Sequence, residues 1–438
     1  MTHVPATRRR AGRALALTWL AMLACTTAPT PEPAPVPAPP PVVRSVPEPT
    51  REDSARARAH ADSVRAARVA RAAPARPVYR IPHPSARNDT ITRRTLRTPI
   101  RVCAGGDVTL GTNLFPEWAK VAKEKMRAKY HRADDPVTLL APLRPLVRGA
   151  DVVLLNVESA IGDGPAPSKC GPASTNCFAF RSPPSSASAL RAVAPRSVVV
   201  GNLANNHAND AGRSGQDSTV AALTAAGVLV TGDDTLATPV ITPGNDTIGV
   251  LGFYTSRDTP DARDTAAVFR HVARAVEQYP VVIVTMHLGA EGRRAQNTRD
   301  TSELYLGIDR GNPIAFADAA VRGGAALVVG HGPHVLRAME WRQHGALIAY
   351  SLGNLLTYGP FVLKEPLNRA AVLCTTIDQA GRVTAATLRP TMQRAPGVLT
   401  SDRTARAVAL VDSLGRRDFP ATGARVGRGG VVRARTLR

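Results

Sequence analysis

The sequence predicts an α/β domain with a largely parallel central sheet over residues 98–400 of a 438-residue chain. Three observations carry that expectation. Strand-length apolar runs recur with helical segments between them, and each run is apolar throughout, as in strands covered on both faces. Polar residues and glycines cluster just after these runs, at the strand ends where open α/β sheets bind ligands. No repeat and no second core pattern divides the region, so one domain is expected.

Taken in order, Ile100-Arg101-Val102-Cys103-Ala104 reads as a strand, followed by Gly105-Gly106-Asp107, where the glycines permit a tight turn. Residues 117–131 read as a helix. Residues 151–155 form a buried strand ending in Asn156-Val157-Glu158, and alternation puts Asn156 and Glu158 on one face. A buried Glu158 without a partner is costly, so a metal or another cation is the economical explanation; a surface salt bridge is the plainer one. The Pro/Ser-rich loop 162–187 holds Cys170 and Cys177, which in an exported chain are expected to pair. Cys103 and Cys374 lie in apolar strands and are expected as buried thiols.

The β-branched run 197–200 leads into Gly201-Asn202-Leu203-Ala204-Asn205-Asn206-His207-Ala208-Asn209-Asp210-Ala211-Gly212. This stretch is either a turn, for which Asn, Asp and Gly are suited, or a source of metal ligands and a titratable group. A helix at 215–226, a strand at 247–253 and a helix at 264–278 follow. The strand 281–285 ends in Met286-His287-Leu288-Gly289-Ala290-Glu291. After a helix at 313–323, the strand 325–329 ends in Gly330-His331-Gly332-Pro333-His334. The strand 346–350 ends in Ser351-Leu352-Gly353-Asn354, and 370–377 with 382–388 reads as a hairpin. Residues 401–438 are expected to be a basic, disordered tail.

The net charge of +22 is concentrated in the flanks. Residues 1–100 hold 17 Lys/Arg and 6 Asp/Glu, and residues 402–438 hold 9 and 3, which leaves only +5 for residues 101–401. That distribution, with aromatics at 4%, argues against nucleic acid as a partner. At the N-terminus, Arg8-Arg9-Arg10 and Arg13 precede a short apolar run from Ala14 to Ala24, which is too short to span a bilayer. Residues 1–24 therefore read as a signal peptide. Met22-Leu23-Ala24-Cys25 resembles a bacterial lipobox, so Cys25 is expected to carry a lipid that anchors the chain to a membrane; a soluble exported protein is the alternative. Residues 25–97, rich in Pro, then Ala and Arg, read as a disordered tether.

Four of the ten histidines, His207, His287, His331 and His334, sit at or just after strand ends, joined by Asp107, Glu158 and Asn206. One such histidine is more often structural, but this many together point to a site. Imidazole with carboxylate and amide oxygens, without cysteine, suits Zn, Mn, Fe or Ni rather than a structural zinc. Mixed ligands spread over several strand ends are what two-metal hydrolases use.

The motifs Gly106-Asp107, Asn156-Val157-Glu158, Asn205 to Gly212, His287-Leu288-Gly289-Ala290-Glu291, Gly330-His331-Gly332-Pro333-His334-Val335 and Tyr350-Ser351-Leu352-Gly353-Asn354 resemble, in order and spacing, those of the CapA family of bacterial capsule and poly-γ-glutamate synthesis proteins. The family is similar to calcineurin-like metallophosphoesterases. The resemblance therefore implies a four-layer α/β/β/α sandwich and two divalent metal ions (Mn, Fe or Zn), with Asp107, Asn206, His287, His331 and His334 as ligands. Glu158 would be the bridging carboxylate and His207 the general acid. Two positions depart from the pattern. The family has His-His-Pro-His where this chain has His331-Gly332-Pro333-His334, and a second ligand of the first strand falls on Thr109. The resemblance implies a cell-envelope phosphoesterase-type hydrolase acting on a polymer or its precursor, alongside exopolymer synthesis or export proteins. The alternative is a non-catalytic scaffold that keeps the metal-site fold.

Overall fold

A computed structural model of the protein describes residues 95–113, 116–162, 178–256 and 261–435. The expected leader, Cys25, nearly all of the tether and the Cys170–Cys177 pair lie outside the described residues.

The chain opens with β1 (Ile100–Thr109), β2 (Thr112–Asn113) and α1 (Pro116–Tyr130). The short α2 (Pro136–Leu140) begins where the Asp135 side chain accepts from Thr138 N and Pro136 supplies a preset φ. Next come β3 (Val152–Val157), β4 (Ala160–Ile161), β5 (Phe180–Ser182), α3 (Ser185–Arg191), β6 (Val198–Asn202) and α4 (Gly212–Ala225). The middle of the chain forms β7 (Val228–Thr231), β8 (Thr238–Ile241), β9 (Thr247–Tyr254) and α5 (Thr265–Gln278), the last capped by Asp264. β10 (Val282–His287), β11 (Leu304–Tyr305), β12 (Ile308–Asp309) and α6 (Pro313–Arg322), capped by Asn312, follow. The remainder is β13 (Leu327–His331), β14 (Met339–Trp341), β15 (Leu347–Ala349), β16 (Asn354–Thr357), β17 (Arg369–Ile377), β18 (Val383–Arg394), β19 (Val398–Ser401), α7 (Arg406–Asp418), β20 (Arg425–Val426) and β21 (Val431–Arg433).

These strands build two large sheets rather than one. The first runs β20-β21-β18-β17-β1-β3-β6-β7, with β16 also on β1 and β19 on β18; the second runs β14-β15-β13-β10-β9-β8. In the first, β16, β1, β3, β6 and β7 are parallel, whereas β17, β18, β19 and β21 are antiparallel. The single, largely parallel sheet read from periodicity is corrected accordingly, whereas the resemblance implies two sheets. A continuous apolar run signals cover on both faces but carries no information on which sheet the strand joins.

Alternation within the strands divides the apolar side chains among three cores. Val102, Leu154 and Val200 of the first sheet share one core with Val250, Ile283 and Val329 of the second. On the first sheet's other face, Val153, Leu155 and Val199 pack with Met126, Leu139, Leu190 and Leu223 from α1 to α4. Leu251, Val284 and Val328 pack likewise with Val268, Val272 and Phe316 of α5 and α6.

Three further expectations are corrected. Residues 401–438 are not a disordered tail where described: α7 buries Val408, Val411 and Leu414, and β21 pairs with β18. Those apolar residues recur at helical spacing, which the high arginine content obscures. Cys103 and Cys374 are not thiols but a disulfide, lying directly opposite each other on β1 and β17. Gly105 and Gly106 lie inside β1 and make no turn. The register against β3 shifts between Ala104 and Asp107, and Asp107 N donates to Gly353 O at 3.0 Å. A Cβ on Gly106 would stand 2.0 Å from that Gly353 oxygen, so close backbone approach requires the glycine.

Candidate metal centre

The carboxyl ends of the two sheets meet at a cluster of buried polar side chains. Asp107 near the end of β1 and Glu158 just after β3 come from the first sheet. His287 and His331, register partners at the last residues of β10 and β13, come from the second. His334 follows in a left-handed conformation (φ 59°) that turns the chain back over the strand end. Gly332, at φ +105°, lies against the His287 ring: a Cβ there would meet His287 Nε2 at 3.2 Å. The missing imidazole at this position thus leaves room for the one at 287.

Ligand atoms of Asp107, Glu158 and His287 all lie within 4.8 Å of one another. Around them, His334 Nδ1 is 3.0 Å from Asp107 Oδ2, His331 Nδ1 is 3.5 Å from Asp107 Oδ1, and both His287 Nε2 and His334 Nε2 are 3.7 Å from Glu158 Oε1. Asn156 steadies the first carboxylate: its Nδ2 donates to Asp107 Oδ1 at 2.8 Å and lies 3.3 Å from His287 Nδ1. Asn202 and Asn205 in turn donate to Asn156 Oδ1 at 2.9 and 3.1 Å. This relay of amides ties the loop after β6 to the cluster.

The electrostatics of the cluster call for a cation. Burial, and then the neighbouring Asp107 charge, push the Glu158 carboxyl well above the usual range. Burial also acts upward on Asp107, but the adjacent imidazoles of His331 and His334 prevail and hold it well below. Burial keeps His287 well below the ordinary histidine value and therefore neutral. His334 is opposed by burial too, yet Glu158, Asp107 and Glu291 raise it to about 10. Glu158 Oε1, His287 Nε2 and both ring nitrogens of His331 are buried without a hydrogen-bond partner among the described residues. Buried polar atoms left in that state are costly. Ligands around one divalent ion, each at about 2.0–2.2 Å, stand on the order of 3 Å from each other, so the donor set and its spacings fit a metal.

Asn206 and His207 lie in the loop after β6. Asn206 is half-buried between Asn205 and His207. The His207 backbone N–H donates to Asn205 Oδ1, and its Nδ1 is 2.6 Å from Asp210 Oδ2, which also accepts from Phe180 N. The His207 ring packs on Phe180, centroids 4.5 Å apart. Thr109, where a second ligand of the first strand was sought, is buried with its hydroxyl donating to Glu158 O at 3.4 Å.

The family model for the bacterial capsule synthesis protein PGA_cap matches residues 101–358, which includes every residue of this cluster. The chain belongs to this family. Curated PGA_cap relatives include the capsule biosynthesis protein CapA of Bacillus anthracis, 26% identical over 38% of this chain and 42% of the relative. The PGA biosynthesis protein CapA of Bacillus subtilis is 28% identical over 35% and 41% respectively. A probable polyglutamine synthesis accessory protein of Mycobacterium tuberculosis is 28% identical over 59% of this chain and 74% of that protein. The match thus spans less than half the length of the two Bacillus relatives. Among solved structures, a 5'-nucleotidase precursor from Thermus thermophilus aligns with TM-score 0.36 and 11% identity, covering 72% of this chain and 58% of that one.

In this PGA_cap member the structure also brings to the site three residues that sequence reasoning passed over as members: Asn156, Glu291 and Arg310. Asn156 was within reach, sharing a strand face with Glu158. Asp210, the partner of His207 Nδ1, stood three residues after it but had the look of a turn residue. Glu291 closes the motif after β10 and sits 3.6 Å from His334 Nε2. Arg310, paired to Glu291 at 2.6 Å, carried no signal among 56 Lys/Arg.

Proposed function

We propose that the domain is a divalent-metal-dependent hydrolase of the phosphoesterase type, acting on a cell-envelope polymer or its precursor during capsule or poly-γ-glutamate-type exopolymer synthesis. The observation that carries this reading is the buried, mutually close set Asp107, Glu158 and His287, with orphaned donor atoms on Glu158, His287 and His331. In this reading Asp107, Glu158, Asn206, His287, His331 and His334 hold the metal, and the sandwich has four layers, α/β/β/α. The three separate cores support that layering.

A divalent ion bound there would polarise a phosphoryl oxygen and make water a better nucleophile. The chain's own residues do the rest. Asn156 orients Asp107, and the deep burial of Asp107, Glu158 and His287 limits bulk water there. His207, oriented by Asp210, donates a proton or hydrogen bond to the departing oxygen. The Cys103–Cys374 disulfide suits an oxidising compartment. It supports export, with the signal peptide at 1–24 and a lipid on Cys25 holding the domain to a membrane through the 25–97 tether.

One observation favours the scaffold reading. Thr109 donates to a backbone carbonyl and Gly332 has no side chain, so two positions of a full two-metal set offer no ligand. Metal analysis of the full-length protein, followed by turnover of a generic phosphodiester across Mn, Fe and Zn, separates the two. Stoichiometric metal with turnover supports the hydrolase; metal without turnover on any phosphoester supports the scaffold; failure to hold metal defeats the hydrolase.

A further inference from the structure

Arg310 follows β12 and is clamped at both backbone groups: its N–H donates to Glu303 O at 2.8 Å, and its carbonyl accepts from Gly289 N at 2.9 Å. The side chain is buried, with only 4% of the residue exposed. Nη1 pairs with Glu291 Oε1 at 2.6 Å, and the guanidinium lies over the Tyr254 ring, 5.7 Å from its centroid. Tyr254 in turn packs edge-on to His287 at 5.6 Å, and Glu291 Oε2 lies 3.6 Å from His334 Nε2. Arg310 therefore stands one residue away from the metal cluster along two separate routes.

What distinguishes Arg310 from the two other fully buried arginines, Arg337 and Arg369, is its unfinished hydrogen bonding. Nε and Nη2 are both buried and have no partner among the described residues. Two other buried arginines show the structural norm in this protein. Arg337 donates to both oxygens of Glu303 and to the Ala295 and Ala290 carbonyls. Arg369 is satisfied by Glu365 and Asp402. Those arginines hold loops, and every nitrogen of each is engaged. Arg310 instead leaves one edge of its guanidinium fork unused, and that edge is the one built for two parallel bonds to an oxyanion.

We propose that the Nε–Nη2 edge of Arg310 receives an oxyanion of the substrate beside the metal cluster, with Glu291 and Tyr254 fixing the fork in place. The ligand chemistry is two oxygens of one planar or tetrahedral anion, either a phosphate or a carboxylate. This deepens the hydrolase reading and rests on it, and it makes Arg310 a substrate-binding residue rather than a metal ligand.

The test titrates metal-loaded full-length protein with inorganic phosphate and, separately, with glutarate, in wild type and Arg310→Lys. Lysine keeps a charge for Glu291 but lacks the fork. Wild type should bind one of the two anions, and the tighter one assigns the class. Arg310→Lys should bind it about tenfold or more weakly, with metal content unchanged. Equal affinity in both proteins, or no binding of either anion by wild type, overturns the proposal. Loss of metal from wild type defeats the hydrolase reading, whereas an Arg310-dependent affinity measured without metal leaves this inference standing. If Arg310→Lys does not fold, wild-type crystals grown with the bound anion decide: oxygens within hydrogen-bond distance of Nε and Nη2 support the assignment, and an anion seated elsewhere overturns it.

Discussion

Asn156 donates to Asp107 across the β1–β3 pair at 2.8 Å, and the two are register partners, so one amide sets the orientation of the carboxylate at the centre of the cluster. Asn156→Leu, nearly isosteric, removes that bond and also takes one acceptor each from the amides of Asn202 and Asn205. Metal affinity should fall by about 10–100-fold, with a stability loss of about 1–3 kcal/mol. Competition with a chelator and chemical denaturation read the two effects separately. Unchanged affinity would show that Asp107 needs no help in holding its orientation.

The raised value of His334 predicts a pH dependence with a definite sign. A histidine whose folded value lies above its unfolded one adds stability that is complete below about 6.5. For His334 that contribution is lost as pH rises through about 10. Metal-free protein should therefore lose stability between these limits, whereas metal competes for the same imidazole and binds more tightly as the proton leaves. Thermal melts from pH 6 to 10, with and without chelator, give the slopes. His334→Gln should flatten the metal-free curve.

The Cys103–Cys374 crosslink joins strands 271 residues apart in sequence. Peptide mapping under non-reducing conditions should recover the joined peptide. The double Ala variant should lose about 2–5 kcal/mol of stability. Recovery of both cysteines as freely alkylated thiols from protein made in an oxidising compartment would contradict the bond.

His207 and His287 make a matched pair. His207→Ala should lower turnover by about 10²–10⁴-fold while metal content and melting temperature stay near wild type. His287→Ala should lose metal and activity together. Asp210→Asn should follow His207→Ala in direction, since it alters the partner of Nδ1. A His207→Ala protein as poor in metal as His287→Ala would end the general-acid assignment.

Cys25→Ala should move the protein from the membrane fraction to the soluble one. Retention in the membrane after a high-salt wash would rule out a lipid on Cys25 as the anchor.

The strands were legible because their apolar runs are long and end in Gly with polar neighbours, and this located Asp107, Glu158, His287, His331 and His334 before any coordinates. The number of sheets was not legible: β1 takes β3 from nearby but β16 and β17 from far along the chain, and pairing over such distances leaves no periodic trace. Cys103 and Cys374 illustrate the same point, since two apolar strands can be read without knowing that they are neighbours. Arg310 was hidden for a different reason. It follows a hairpin whose Leu304, Leu306 and Ile308 are exposed, so its surroundings in sequence say nothing of its burial.

The central place of β1 bears on when the centre can assemble. The strand that carries Asp107 stays incomplete until β16 and β17 arrive along the edge opposite β3, and its Asp107 N–H waits for the carbonyl of Gly353. Emerging from a ribosome or a secretion pore, the first 340 residues would carry all six proposed ligand residues without the complete sheet that gathers them. Ion capture then belongs to the last moments of folding. On the proposed export route, the choice of metal would be made by the ion supply on the far side of the membrane, not by that of the cytoplasm.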